Sequence, residues 1–310
     1  MPNLIANHTG QAFTSRTIDQ ALLKFKTDIE NAIKNRGEEG KNELIRSQGP
    51  IKLIHDAVKT EFMRIGVHPS LINPELEALQ RCATGPGQAG LFTTPAVLKD
   101  KELALTGLLK TKNQDVCIVP RNITVASEVL QYNTYVFGQT DPYGLSFTEQ
   151  VISVNVRSQL SSISKNFDTL YERTFAEALN FHLRAGNMVL GEVYMIIAKP
   201  YDPKTTKLKQ IGFEAPKKKS VHIDKYIRSF QALNDRTSMS GDHHKYERVA
   251  LLVVDFEPSV PKLYNTTAEL IADGFLEPNS TVNLGALSFG SFAADMMSVY
   301  QSRFPNNRFS

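Results

Sequence analysis

The residues VISVNVRSQ (151–159), SKNFDTLYERTFAEALNFHLR (164–184) and VLGEVYMIIAK (189–199) decide how this chain folds. The first alternates, with Ser153, Asn155, Arg157 and Gln159 on one face, the two-residue period of a strand. The second sets Phe167, Leu170, Tyr171, Ala178 and Phe181 on one apolar face at helical spacing. The third is a nearly continuous apolar run, which predicts a buried strand. A further helix at 222–236 and the strand VALLVVDF (249–256) repeat the alternation, and ELALTGLL (102–109) and DVCIVP (115–120) precede it. Strands alternating with helices predict an α/β class with a mixed central sheet flanked by helices. A last helix is predicted over 289–303.

Outward from this core, the N-terminal text is helical. Ile18, Leu22, Leu23, Phe25, Ile29 and Ile33 recur at helical spacing within 16–35, and 43–64 repeats the pattern across a break at Gly49-Pro50. Residues 74–83 open with Pro in a first turn, and a Gly-rich loop at 84–95 closes the region. The expected organisation is a mainly helical region over 1–95 and an α/β core over 96–310, joined in one unit.

Composition narrows the function classes. The chain has 310 residues, 41% hydrophobic and 22% charged, with a net charge of +3. Those values fit a globular protein and exclude a disordered or fibrous chain. Two cysteines, Cys82 and Cys117, make no disulfide framework or metal knuckle. The N-terminal residues lack the pattern of a signal peptide, and no run of 18 apolar residues occurs, so a soluble cytoplasmic protein without a membrane role is expected. No GxGxxG follows a strand, and no GxxxxGK(S/T), GxSxG or HExxH occurs, so nucleotide-binding, esterase and zincin readings lack support. His243-His244 reads as a solvated loop.

Three acidic positions and a set of cations remain. Asp115 stands after a polar turn, at the mouth of the DVCIVP strand. On the helix, Glu177 falls at the edge of the apolar face and Glu172 nearly opposite, which makes Glu177 the better metal ligand. Lys165 precedes the helix. Lys217, Lys218 and Lys219 form the densest basic run, either a solvated loop or an arm that contacts phosphates.

The order strand-Asp, polar strand, helix with an inward Glu resembles the PD-(D/E)xK nuclease core. Within it, ISVNVRSQ, Glu177-Ala178-Leu179-Asn180 and VLGEVYMI resemble the type II restriction endonucleases that cut CCGG-type and CCNGG-type sites, where the second acid lies on the helix. Gln114-Asp115 stands where that group has Pro-Asp, and the resemblance covers roughly 105–200. It implies Mg²⁺ held by Asp115 and Glu177, with Asp115, Lys165 and Glu177 catalytic. The strand lysine of the group is absent here. Lys165 reaching back, Arg157 in its place, or an altered site are the three solutions, in that order.

The function so implied is Mg²⁺-dependent cleavage of double-stranded DNA at a short specific sequence by a homodimer, whose two-fold symmetry matches a palindromic site. Asn155, Arg157, Gln159 and Lys217 to Lys219 would contact the DNA, with arginine suited to guanine. A cognate DNA methyltransferase in the same system would protect the host without forming a stable complex. The alternatives are a non-catalytic DNA-binding protein on the same scaffold and a protein-interaction module without nucleic-acid contact.

Overall fold

The structure, a computed structural model, describes residues 4–6, 12–14, 16–74, 101–121, 123–160, 166–214, 221–307 and 309. A short hairpin, β1 (Leu4–Ala6) and β2 (Ala12–Thr14), precedes the first long helix, α1 (Ile18–Arg46). Thr17 and Gln20 cap α1 reciprocally, each side chain taking the other's backbone N–H. Gly37 interrupts α1 at φ 63°, and a Cβ there would lie 2.8 Å from the Thr206 carbonyl oxygen, so only glycine fits this kink. The break expected at Gly49-Pro50 falls at Ser47 and left-handed Gln48. Gly49 and Pro50 open α2 (Gly49–Arg64), because proline's missing N–H costs nothing in a first turn.

The strands and helices that follow are β3 (Ile72–Asn73), β4 (Leu103–Thr106), β5 (Thr111–Gln114), β6 (Val116–Ile118), β7 (Glu128–Val129), β8 (Thr140–Asp141) and α3 (Leu145–Glu149). Then come β9 (Ile152–Gln159), α4 (Phe167–His182), β10 (Val189–Ile197), α5 (Pro203–Lys207) and α6 (Val221–Leu233). The chain continues through β11 (Arg248–Asp255), β12 (Lys262–Tyr264), α7 (Thr267–Ala272) and α8 (Phe289–Arg303).

Six strands form a mixed sheet in the order β12-β11-β10-β9-β6-β3. β9, β10 and β11 run parallel, joined by α4 and α6, while β6, β3 and β12 are antiparallel to their neighbours. β10 lies centrally and all nine of its residues are buried, which is why its text is apolar almost throughout. One face carries α4 and α6: Arg157 reaches Thr174 at 3.3 Å, and the Tyr194 ring meets Phe230 at 4.8 Å. On the other face α8 crosses Gly191, where a Cβ would stand 2.7 Å from Phe292 and 2.8 Å from Met296. The expected α/β class with a mixed sheet flanked by helices is what the chain adopts.

The division at residue 95 does not separate two cores. β3, from the N-terminal region, pairs with β6 through Ile72 and Ile118, and Ile54 and Phe62 of α2 join the same hydrophobic core as the sheet. The expected helix over 74–83 and loop over 84–95 lie outside the described residues, Pro74 excepted. No described helix is long and apolar enough to cross a membrane.

Candidate active site

The residues before Asp115 are a strand, not the polar turn expected: Thr111–Gln114 pairs with β4 from Thr106↔Thr111 to Leu103↔Gln114. Asp115 is the single residue between β5 and β6, where the chain leaves one ladder for another. β6 begins opposite Val154. The next β9 amide on this edge, Val156 N–H, therefore has no strand partner, and Asp115 Oδ2 accepts it at 2.7 Å. A side chain thus completes a backbone ladder, and the demand for that hydrogen bond fixes the carboxylate in place. Burial pushes the Asp115 carboxyl up to about 6, against the Val156 N–H, with the charge of Glu102 adding to the rise.

Continuing the β6–β9 register by one step puts Asp115 across from Asn155, and Asn155 pairs in turn with Glu192 on β10. Three polar side chains so form a row across three strands. Arg157, two residues further along β9, donates Nη1 to Glu192 Oε1 at 2.7 Å and Nη2 to Glu177 Oε2. Lys112 of β5 pairs with that same Glu177 oxygen. Three atoms in this cluster are buried without a hydrogen-bond partner: Glu177 Oε1, Glu192 Oε2 and Asn155 Nδ2. Each such atom costs about 1–3 kcal/mol, so three together are not what folding alone would retain. Burial pushes Glu192 up to about 8, opposed by Arg157 and reinforced by the neighbouring charge of Glu177.

On α4, Glu177 is 3% exposed and faces the sheet while Glu172 is exposed, the disposition the helical angles predict. One turn beyond Glu177, Asn180 holds the β4–β5 turn. Its Oδ1 accepts Leu109 N–H at 2.8 Å and Lys110 N–H at 2.9 Å, and its Nδ2 donates to the Lys110 carbonyl at 3.1 Å. The approach is so close that a Cβ on Gly107 would stand 2.4 Å from Asn180. This clasp is what brings Lys112 to Glu177.

On the other side of Asp115, the β4–β5 ladder continued by one step sets Glu102 opposite it. His55 of α2 completes a group in which one ligand atom from each of His55, Glu102 and Asp115 lies within 4.8 Å of the others. His55 Nε2 is buried without a partner. Burial, with the charges of Lys59 and Lys52 beside it, holds the ring down at about 3.

The expected DNA contacts fare differently. Asn155 is 1% exposed and Gln159 6%, with Tyr194 donating to Gln159 at 3.4 Å, so both lie inside the fold, covered by α4 and α6, rather than on a face a duplex can reach. Arg157 points inward to two carboxylates. The alternation of β9 was visible in sequence, but not that a helix layer covers its polar face. Lys165, Lys217, Lys218 and Lys219 lie outside the described residues.

Sequence reasoning missed Glu192, Lys112, His55 and Glu102. Glu192 had a signal, being a lone charge inside an otherwise apolar buried strand, where a carboxylate is tolerated only for a reason. Lys112 and Glu102 depend on a hairpin whose text reads as strand plus turn, and His55 on how α2 meets that hairpin. No family model, no curated protein and no solved structure matches this chain.

Proposed function

We propose that this protein is a divalent-cation-dependent endonuclease that cleaves double-stranded DNA at a specific sequence, on a core of the PD-(D/E)xK kind, as type II restriction enzymes do. The observation that carries the reading is the row Asp115, Asn155 and Glu192 beside Glu177, in which Glu177 and Glu192 each keep one bare carboxylate oxygen while the other meets the Arg157 guanidinium, with the Lys112 ammonium also on Glu177. The donor types suit Mg²⁺. Its hard preference is for carboxylate oxygen and water, and Glu177 Oε1 and Glu192 Oε2 are buried oxygens with nothing bound to them. Asp115, Glu177 and Glu192 would hold the ion, which supplies an activated water and neutralises the phosphate.

β9 carries Asn155 where the group has its lysine, and the second acid is Glu177 on the helix. Glu192 on the next strand adds a carboxylate, and Arg157 and Lys112 provide cations in place of the absent lysine. Their part is electrostatic, stabilising charge on the pentavalent phosphorus, and Lys112 is a second source of the missing ammonium beside Lys165. A homodimer with a two-fold axis suits a palindromic site.

The experiment is nicking of supercoiled plasmid with Mg²⁺ and with chelator, on wild type and Asp115→Asn. Cleavage by wild type alone, in Mg²⁺ alone, supports the reading. No cleavage across a panel of sequences, with salt-sensitive specific binding in Ca²⁺, selects a non-catalytic DNA-binding protein instead. That second reading draws on the ion pairs by which Arg157 and Lys112 already balance the carboxylates without any metal.

A further inference from the structure

His55, Glu102 and Asp115 meet at the open end of the β4–β5 ladder, and two facts single them out. First, the ladder register sets two carboxylates, Glu102 and Asp115, directly across from each other, an arrangement that like charges destabilise unless something positive lies between them. Second, the third member is an imidazole that is 8% exposed and whose Nε2 has no hydrogen-bond partner, although buried polar atoms are nearly always paired. Lys59, which feels the charge of Glu102, is paired with Asp56 at 3.3 Å. Three lone-pair donors from α2, β5–β6 and the start of β4 thus converge.

We propose that His55, Glu102 and Asp115 bind a divalent first-row transition-metal ion, at a centre distinct in its donors from the oxygen-only set formed with Glu177 and Glu192. The imidazole decides the class of ion. Mg²⁺ and Ca²⁺ take oxygen, whereas a neutral imidazole nitrogen with two carboxylates suits Mn²⁺, Co²⁺ or Zn²⁺. The donors lie within 4.8 Å of one another. A tetrahedral ion about 2.1 Å from each donor needs them about 3.4 Å apart, so binding draws the three donors together. Glu102 is exposed, which gives the ion an entry path and leaves room for water as a further ligand. Sharing Asp115 would couple the two centres, but occupation of this one does not depend on the DNA reading.

The test uses full-length protein stripped with chelator and titrated with Co²⁺, whose visible d–d absorption reports nitrogen and oxygen ligation directly. Wild type should bind one Co²⁺ with such bands. His55→Ala and the surface variant Glu102→Gln should each weaken binding about tenfold or more, as loss of a ligand does, while Glu177→Gln leaves it unchanged. Glu102→Gln guards against a His55 variant that fails to fold. Absence of Co²⁺ bands in wild type, or their loss in Glu177→Gln but not in His55→Ala and Glu102→Gln, overturns the assignment. Plasmid cleavage in Mg²⁺ is read in parallel. Cleavage without Co²⁺ binding sinks this centre alone, and Co²⁺ binding without cleavage sinks the nuclease reading alone.

Discussion

At the foot of β11, Glu247 has both carboxylate oxygens taken. Oε1 accepts Arg236 at 3.0 Å and Arg303 at 2.9 Å. Oε2 accepts Leu190 N–H at 2.8 Å, and His182 Nε2 sits 3.3 Å away, in ion-pair range though out of hydrogen-bond alignment. Two residues along β10 from that Leu190 amide, Glu192 is equally buried but has one guanidinium on one oxygen and nothing on the other. Burial pushes both carboxyls up. In Glu247 the His182 ring, Arg303 and the Leu190 N–H overcome it and hold the group at about 2, whereas in Glu192 burial prevails and the group sits at about 8. A buried carboxylate saturated with donors is part of the frame. One left half bare beside a second carboxylate is poised for a cation from outside.

The largest expected effect separates frame from site. Glu247→Gln should cost about 3–5 kcal/mol in urea denaturation, because it leaves the buried Arg236 without its counter-charge. Glu192→Gln should lose no stability at pH 7, since burial disfavours the charge that the substitution removes and the amide oxygen can still accept from Arg157. Equal losses in the two variants would erase the distinction.

Cleavage should show the reverse ranking. Asp115→Asn, Glu177→Gln and Glu192→Gln are each expected to lower the Mg²⁺-dependent rate by about 10²–10³ or more, the scale of losing one electrostatic stabiliser. Glu172→Gln, exposed on the far side of α4, should cleave as wild type does. Rates from single-turnover plasmid nicking decide this.

The pH dependence of stability, measured in chelator, should have opposite signs at the two positions. The depressed Glu247 carboxyl contributes stability that is present above its ordinary 4.5 and lost as pH falls toward 2. The raised Glu192 carboxyl favours the folded state fully below 4.5, and that advantage is lost as pH rises toward 8. Glu192→Gln should therefore flatten the decline between pH 5 and 8, and a slope unchanged from wild type would refute the assignment. Smallest of all, the exposed pair Lys24 and Asp28 on α1 should contribute under about 0.5 kcal/mol in a double-mutant cycle, a baseline for the buried clusters.

The sheet and its helices were legible because their signals are local. The alternation of β9, the apolar run of β10 and the amphipathic α4 each declare an element within a dozen residues, and the boundaries of α8 fell at 289 and 303 as expected. Glu177 was legible for the same reason, as one angle on one helix. The remainder of the site depends on contacts between distant segments. Lys112 meets Glu177 only through a hairpin clasped by Asn180, and Glu192 meets Asn155 only through a parallel register that a crossover helix sets. Arg157 and Asn155 share the strand face that the alternation of β9 predicts, but alternation tells which side chains share a face and not whether a helix layer covers it.

The Asn180 clasp also fixes when the site exists. Lys110 and Asn180 stand 70 residues apart, several seconds of synthesis at about 5–20 residues per second. Through that interval the hairpin bearing Lys112 has no helix to hold it, and Glu177 and Glu192 are not yet made. A ribosome-bound chain therefore carries no assembled cluster until translation has passed β10, and a cell making this protein first encounters the cluster on chains that are already two-thirds synthesised or finished.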